Sequence, residues 1–387
     1  MSAAATRPQE VWIVNNAAWN VYNFRAGLIR GLLQAGYSVT VCCPADDYLD
    51  RMKTLGVRHV QLPLDAAGVN PLREAGVVLH LLRIFRKHRP AALLTFTPKI
   101  NIYVALAAGW LRIPVIVNIS GLGRAFTTGG WLEIVSRALY KHALRSAHTV
   151  FFQNTDDLEL FARSGMVRRA QCQRLPGSGV DLDWFIPQLP RTALQRDFRF
   201  LLVARLLWDK GVQEYVDAAC LVKTRTPDVQ FGLLGFLEVN NPTAIARGQI
   251  DAWQADGTIH YHGVTDDVRA LLAGTDCVVL PSYYREGTPR SLLEAASMAI
   301  PVITTDTPGC RDVVEHGVSG FLCRVKDAQD LADKMIRMIE LDHAARQEMG
   351  RSGRRKMERE FDQALVLDKY LEALRAACPA LLPRRTA

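Results

Sequence analysis

Cys277-Val-Val-Leu-Pro281, followed after four intervening residues by Glu286-Gly-Thr-Pro-Arg-Ser-Leu-Leu-Glu294, decides how the 387-residue chain is read. The apolar run predicts a strand. Glu286 falls in a turn-like segment after it, and Pro289 is placed to open a helix that carries Glu294 about two turns in. A strand, a tight loop and a helix N-terminus in that order suit anions and hydroxyls. Backbone N–H groups of residues 287–291 can face a phosphate, and the two carboxylates can accept hydrogen bonds from hydroxyls.

Two glutamates at this spacing arise often by chance, so the neighbouring motif carries weight. Val203-Ala-Arg205-Leu-Leu-Trp-Asp-Lys210-Gly211 is a second apolar strand ending in two cations and a glycine. Seen alone, Arg205 and Lys210 read equally well as a solvated loop. Taken together, two cations at one strand end and two carboxylates at another converge on a diphosphate joined to a sugar.

These motifs resemble those of the retaining glycosyltransferases of family 4, which have the GT-B fold. The Arg-x4-Lys-Gly and Glu-x7-Glu motifs stand in the family order. Ile300-Pro-Val-Ile-Thr-Thr-Asp-Thr-Pro-Gly309-Cys-Arg-Asp-Val-Val and Gly317-Val-Ser-Gly-Phe-Leu322 also follow its pattern. In the N-terminal half, Tyr22-Asn-Phe-Arg25, the Asp65 to Pro71 region and Gly121-Leu-Gly123 are similar to enzymes that extend sugars on undecaprenyl diphosphate, N-acetylgalactosaminyltransferases being the nearest type.

The resemblance implies two tandem Rossmann-like α/β domains facing each other across a cleft. It implies transfer of a hexose or N-acetylhexosamine from a UDP-sugar to a polyprenyl-diphosphate-linked saccharide. Glu294 would bind the ribose hydroxyls and Glu286 the donor hexose, with Gly287, Thr288, Pro289, Arg290 and Ser291 lining the phosphate and hexose turn. Arg205 and Lys210 would stabilise the departing diphosphate, so no metal or other cofactor is required. Retention by a front-face path lets that phosphate take the acceptor proton.

For the acceptor the candidates are Asn16, Lys99, Ser120, Gly121 and Arg124, in loops that follow predicted strands; loop capping or solvent exposure is the plain alternative for each. Relatives often carry a Gly-rich loop after the first strand and a His or Glu after Ile119. This chain has Ala17 and Ala18 in the first place and Ser120 in the second. Two rival readings are a UDP-N-acetylglucosamine 2-epimerase on the same fold and a non-catalytic sugar-nucleotide-binding protein.

Composition bounds the rest. Apolar residues make up 49% and charged residues 22%, as in ordinary globular α/β proteins. Residues 1–10 lack the apolar core of a signal peptide. The longest apolar stretch, Ile102 to Val117, contains Arg112 and Pro114 and reads as helix then strand, not a membrane span. Eight cysteines with no Cys-x-x-Cys pair read as free thiols in a reducing cytosol.

The net charge is +8, and residues 71–190 alone hold 15 Lys/Arg against 7 Asp/Glu. Such a segment suits anionic lipid headgroups, a lipid diphosphate or a plain solvated face. With no recognised motif and no basic run interleaved with aromatics, nucleic acid is disfavoured. The expectation is a cytoplasmic protein held peripherally on the inner face of the membrane, with the basic end of a helix over 71–88 as one contact.

Apolar runs alternate with helical spacing throughout, which predicts parallel sheets covered on both faces. The series restarts after Leu175-Pro-Gly-Ser-Gly-Val-Asp-Leu-Asp-Trp-Phe-Ile-Pro187, so the domains are expected over 1–187 and 188–361, with the C-terminal helix 362–387 completing the first. Asp181-Leu-Asp183 lies in this linker and is not read as a metal site. Gly121-Leu-Gly123 lacks the third glycine of a dinucleotide fingerprint.

Overall fold

The computed structural model describes residues 10–65, 70–122, 131–188 and 197–379. Arg124, residues 189–196 and the tail 380–387 lie outside them. The chain divides into two compact units, one of residues 1–178 with 363–387, the other of residues 179–362.

The first unit holds seven parallel strands, β1 (Glu10–Val14), β2 (Ser38–Cys43), β3 (Arg58–Gln61), β4 (Ala92–Thr95), β5 (Val115–Ile119), β6 (Thr149–Phe152) and β7 (Cys172–Arg174). Their order is β3-β2-β1-β4-β5-β6-β7. The second unit repeats the plan with β8 (Arg199–Val203), β9 (Gln230–Leu234), β10 (His260–Tyr261), β11 (Cys277–Leu280), β12 (Val302–Thr305) and β13 (Gly320–Cys323), ordered β10-β9-β8-β11-β12-β13. Every strand pair is parallel. Central strands such as β1, β4 and β5 are buried almost throughout, as expected of sheets covered on both faces.

In each sheet the strand order reverses once, between β1 and β4 and between β8 and β11. Loops leave in opposite directions there, which opens a crevice beyond the strand C-termini. The Arg205–Lys210 segment follows β8 and the Glu286 segment follows β11, so both flank one switch point.

The units part at Ser178/Gly179, nine residues before the expected 187/188. The segment after Gly179 is tied to the second unit. Val180 donates its N–H to the Phe361 carbonyl at 2.9 Å, and Val180 and Phe185 are buried in that unit's core. Arg354 Nη1 donates to the carbonyls of Phe185 at 2.8 Å and Ser297 at 2.9 Å. Asp181 caps a local turn by accepting from the N–H groups of Asp183 and Trp184 at 3.1 and 3.0 Å.

The last helix, Gln363–Ala377, packs in the first unit. Its Tyr370 is fully buried against Phe96 and Phe151, and its hydroxyl accepts from Asn118 Nδ2 at 2.8 Å. The apolar stretch Ile102 to Val117 resolves into helix Pro98–Leu111 and β5. Among the described residues no helix is long and apolar enough to cross a membrane. All eight cysteines are free, and five of them are buried.

Candidate active site

Three loops build the site in the second unit. The first leaves β8 through Arg205 and closes in a 3-10 turn over Trp208–Lys210. Gly211 then takes φ +75° and starts the helix Val212–Lys223. A side chain there is barred twice over: the left-handed φ disfavours it, and a Cβ would stand 2.1 Å from the Pro281 carbonyl oxygen. The β8 loop therefore touches the β11 loop backbone to backbone.

The second loop, Pro281–Pro289, is pinned to the first. The N–H groups of Tyr283 and Tyr284 both donate to the Asp209 carbonyl, at 3.1 and 2.9 Å. This registers Glu286 against Lys210. The Lys210 ammonium donates to Glu286 Oε1, with side chains only 11% and 12% exposed. The Ser282 hydroxyl lies 3.0 Å from the same carboxylate oxygen, and the Tyr284 ring centroid is 5.0 Å from Nζ.

The third loop follows β12. The Thr305 hydroxyl donates to the Ser282 carbonyl. Gly309, at φ +84°, comes so close that a Cβ would sit 1.8 Å from the Gly287 carbonyl oxygen and 2.9 Å from that of Glu286. Cys310 is buried beside it; burial first, then the Glu286 carboxylate, pushes its thiol up to about 11.

The helix after the second loop runs Arg290–Ser297, and Pro289 is its N-cap (φ −65°, ψ 119°), not its first residue. Glu294 is therefore about one turn in, not two. First-turn N–H groups have no acceptor within a helix, which suits an anion at its start. Arg290 Nε donates to Glu294 Oε1 at 2.7 Å. Burial pushes the Glu294 carboxyl above the usual carboxylate range, and the Arg290 charge pulls it part of the way back. Arg290 is thus engaged with Glu294 in this structure, whereas Arg205 is exposed with no ion-pair partner among the described residues.

Sequence reasoning brought out Arg205, Lys210, Glu286 and Glu294 but missed Ser282, Asp209, Tyr284, Thr305 and Gly309. A serine closing an apolar strand and a glycine after Thr-Pro were the available signals. The Asp209 contribution is a backbone carbonyl, which no side-chain pattern reveals.

In the first unit, Asn16, Lys99, Ser120 and Gly121 follow β1, β4 and β5, three adjacent strands, and so share one sheet edge. Their contacts differ. Lys99 Nζ donates to Glu74 Oε1 at 2.9 Å and to the Asp65 carbonyl at 3.1 Å, which ties helix Pro98–Leu111 to helix Pro71–His88. Ser120 Oγ donates to the Phe96 carbonyl at 2.9 Å. Gly121 has φ +104°. Asn16 accepts from Asn20 Nδ2 at 3.4 Å.

Beside Asn16, the buried Asn15 Nδ2 and the buried Thr95 hydroxyl at the end of β4 have no hydrogen-bond partner among the described residues. Buried polar atoms rarely stay unsatisfied, so this edge has capacity for a ligand or ordered water. The first helix, Ala18–Gln34, has no side-chain cap of its own; Asp46 accepts from the Trp19 N–H at 3.0 Å and fills that place. An anion is thereby disfavoured at this helix start, a difference from a Gly-rich phosphate loop.

Two parallel-sheet Rossmann-like units and a cation–carboxylate cluster at a switch point define a GT-B glycosyltransferase. Residues 23–177 match the Glycosyl transferase 4-like domain and residues 190–356 the Glycosyl transferases group 1 family, and the chain belongs to the glycosyltransferases that join these two domains. It is 26% identical to the Campylobacter jejuni N,N'-diacetylbacillosaminyl-diphospho-undecaprenol alpha-1,3-N-acetylgalactosaminyltransferase, over 94% of this chain and 97% of that one. It is 24% identical to the Escherichia coli UDP-Gal:alpha-D-GlcNAc-diphosphoundecaprenol alpha-1,3-galactosyltransferase, over 84% of each. Among solved structures, Anabaena HepE in complex with UDP superposes with a TM-score of 0.75 at 19% identity, covering 95% of this chain and 100% of that one.

Proposed function

We propose that the chain moves a hexose or N-acetylhexosamine from a UDP-sugar to a polyprenyl-diphosphate-linked saccharide, with retention of anomeric configuration. The observation that carries this reading is the Lys210–Glu286 pair, held at the β8/β11 switch point by three loops with Glu294 one turn into the following helix. The names of the two relatives, each acting on a diphospho-undecaprenol-linked sugar, support the acceptor class.

In the free enzyme Lys210 is neutralised by Glu286. A bound diphosphate offers the ammonium a more highly charged partner, and Glu286 then turns to the donor sugar's hydroxyls. As the bond between the anomeric carbon and the diphosphate oxygen breaks, negative charge grows on the leaving group. Arg205, Lys210 and the N–H groups at the start of helix Arg290–Ser297 stabilise it. The acceptor hydroxyl bonds to the anomeric carbon on the same face and passes its proton to the departing phosphate. No step in this path needs a metal.

Glu294 holds the ribose hydroxyls, with Gly287, Thr288, Pro289 and Ser291 along the phosphate and hexose turn. Asn15, Asn16, Ser120 and Gly121 form the acceptor edge of the first unit. Arg124, outside the described residues, stays an acceptor candidate on sequence alone. Because its substrate lies in a bilayer, the enzyme works peripherally on the cytoplasmic membrane face.

The test is a donor panel. Purified protein is incubated with UDP- and GDP-sugars, with and without a short-chain polyprenyl-diphosphate saccharide, and nucleotide release is followed. Acceptor-dependent release from one UDP-sugar is expected. Release only from a GDP-sugar would overturn the donor assignment.

A further inference from the structure

The first unit carries an outer surface that the active-site chemistry does not use. Helices Pro71–His88, Pro98–Leu111 and Trp131–Ala143 pack side by side over one face of its sheet, burying Val77, Leu81, Phe85, Tyr140 and Ala143. The opposite side of a surface helix is normally polar. Here it is not. Of the 14 exposed large apolar side chains among the described residues, six stand on these three helices.

The clearest stripe is on Trp131–Ala143. Ile134 (69% exposed), Val135 and Leu139 point away from the sheet at spacings of one and four residues, with exposed Ala138 between them. On Pro71–His88, Leu72 (85% exposed) and Leu79 lie seven residues apart on one outward row.

The charge of the same region has one sign. Residues 71–145 contain 11 Lys/Arg and 2 Asp/Glu, a net +9 against +8 for the entire chain. Both acids are neutralised within the layer, Glu74 by Lys99 and Glu133 by Arg137. Lys141 and Arg145 are exposed just beyond the apolar stripe. An apolar stripe bordered by basic side chains fits the boundary between acyl chains and anionic headgroups. A second copy of this face is a poor occupant, because exposed Lys and Arg side chains would oppose their own kind.

We infer that the outer face of this layer docks on an anionic lipid bilayer, with Ile134, Val135 and Leu139 inserted and the surrounding Lys and Arg side chains on the headgroups. The inference rests on the lipid-linked acceptor proposed above and names the surface that would bring the enzyme to it. Ile134 and Val135 sit near the start of their helix, toward the sheet edge that carries Ser120 and Gly121, so docking there sets the acceptor edge close to the lipid.

Co-sedimentation with phosphatidylcholine vesicles, with and without phosphatidylglycerol, tests it. The full-length wild type is compared with the triple variant Ile134→Ser, Val135→Ser, Leu139→Ser and with Lys141→Glu, Arg145→Glu. Transfer to a water-soluble acceptor analogue reports that the variants are folded. Wild type should bind phosphatidylglycerol vesicles in a salt-sensitive way. The triple variant should lose at least about tenfold in partitioning at unchanged soluble transfer, and the charge-reversed variant should lose its preference for phosphatidylglycerol.

Equal binding by wild type and triple variant would overturn this surface while leaving membrane association intact. Failure of wild type to bind any vesicle would overturn membrane association itself, and the surface with it. A wild-type dimer that the triple variant breaks would identify the stripe as a protein interface and overturn the lipid assignment.

Discussion

Lys210→Met leaves the Glu286 carboxylate in a site where it is only 12% exposed, and the consequence can be worked from the structure. Removing one member of a fully buried ion pair costs about 3–5 kcal/mol, because the remaining charge keeps its desolvation penalty. Here the residual exposure and the Ser282 hydroxyl, which still donates to Glu286, reduce that to about 2–3 kcal/mol. Glu286→Gln strands the ammonium instead, and the Tyr284 ring 5.0 Å away compensates only partly, so a similar loss follows. The double variant buries no unpaired charge. Its loss should fall short of the sum of the singles by about 2 kcal/mol.

Hydrogen exchange of second-unit core peptides is the suitable readout, since the two units need not unfold together. Additive losses, with a coupling under about 0.5 kcal/mol, would refute the pair as a working interaction. Turnover separates the roles further. Lys210→Met should lower transfer by about 10²–10³-fold, the scale of losing one donor to a developing anion.

Three more outcomes follow from the same geometry. Gly309→Ala places a methyl against the Gly287 carbonyl at a positive φ, so it should displace the Glu286 turn and cut transfer by at least about tenfold; wild-type kinetics would show that the turn does not depend on this contact. Glu294, whose carboxyl is raised by burial, binds its proton more tightly in the folded than in the unfolded chain. Its stabilising contribution is therefore complete below the ordinary glutamate value and is lost as pH rises through the raised one. Donor affinity should behave oppositely, falling on acidification while the pH is still above the ordinary glutamate range; Glu294→Gln should flatten both dependences, and calorimetry across pH showing an unchanged slope would contradict the ribose role. Thiol labelling of the native protein should reach Cys220 first and spare Cys42, Cys43, Cys277, Cys310 and Cys323 until urea is added; modification of native Cys310 would contradict the closed packing behind Glu286.

Much of this was legible because the central strands are buried on both faces. Runs such as Val115–Ile119, Thr149–Phe152 and Cys277–Leu280 leave no polar alternation to confuse their limits. Arg58–Gln61 and Cys172–Arg174 are harder to read, being short edge strands with mixed exposure. The exact residue at which the units part is not written locally, because what binds Val180 and Phe185 to the second unit is Phe361 and Arg354, far along the chain.

The site was legible as charges and not as a scaffold. Lys210 and Glu286 announce themselves by type and spacing. Nothing in the sequence tells that Asp209 contributes a carbonyl, that Gly309 is pressed on Gly287, or that Lys99 holds two helices together. Those are long-range contacts, set by strand order and loop geometry.

Analysis of the product tests the central claim most directly. The enzyme, a UDP-sugar and a short-chain polyprenyl-diphosphate saccharide are incubated together, and the lipid product is examined by mass and by the anomeric coupling of the new linkage. One added hexose or N-acetylhexosamine in the donor's own anomeric configuration, with one UDP released per sugar, is the predicted result. An isomerised donor formed without acceptor, an inverted linkage, or donor binding with no lipid product on any such saccharide would contradict it.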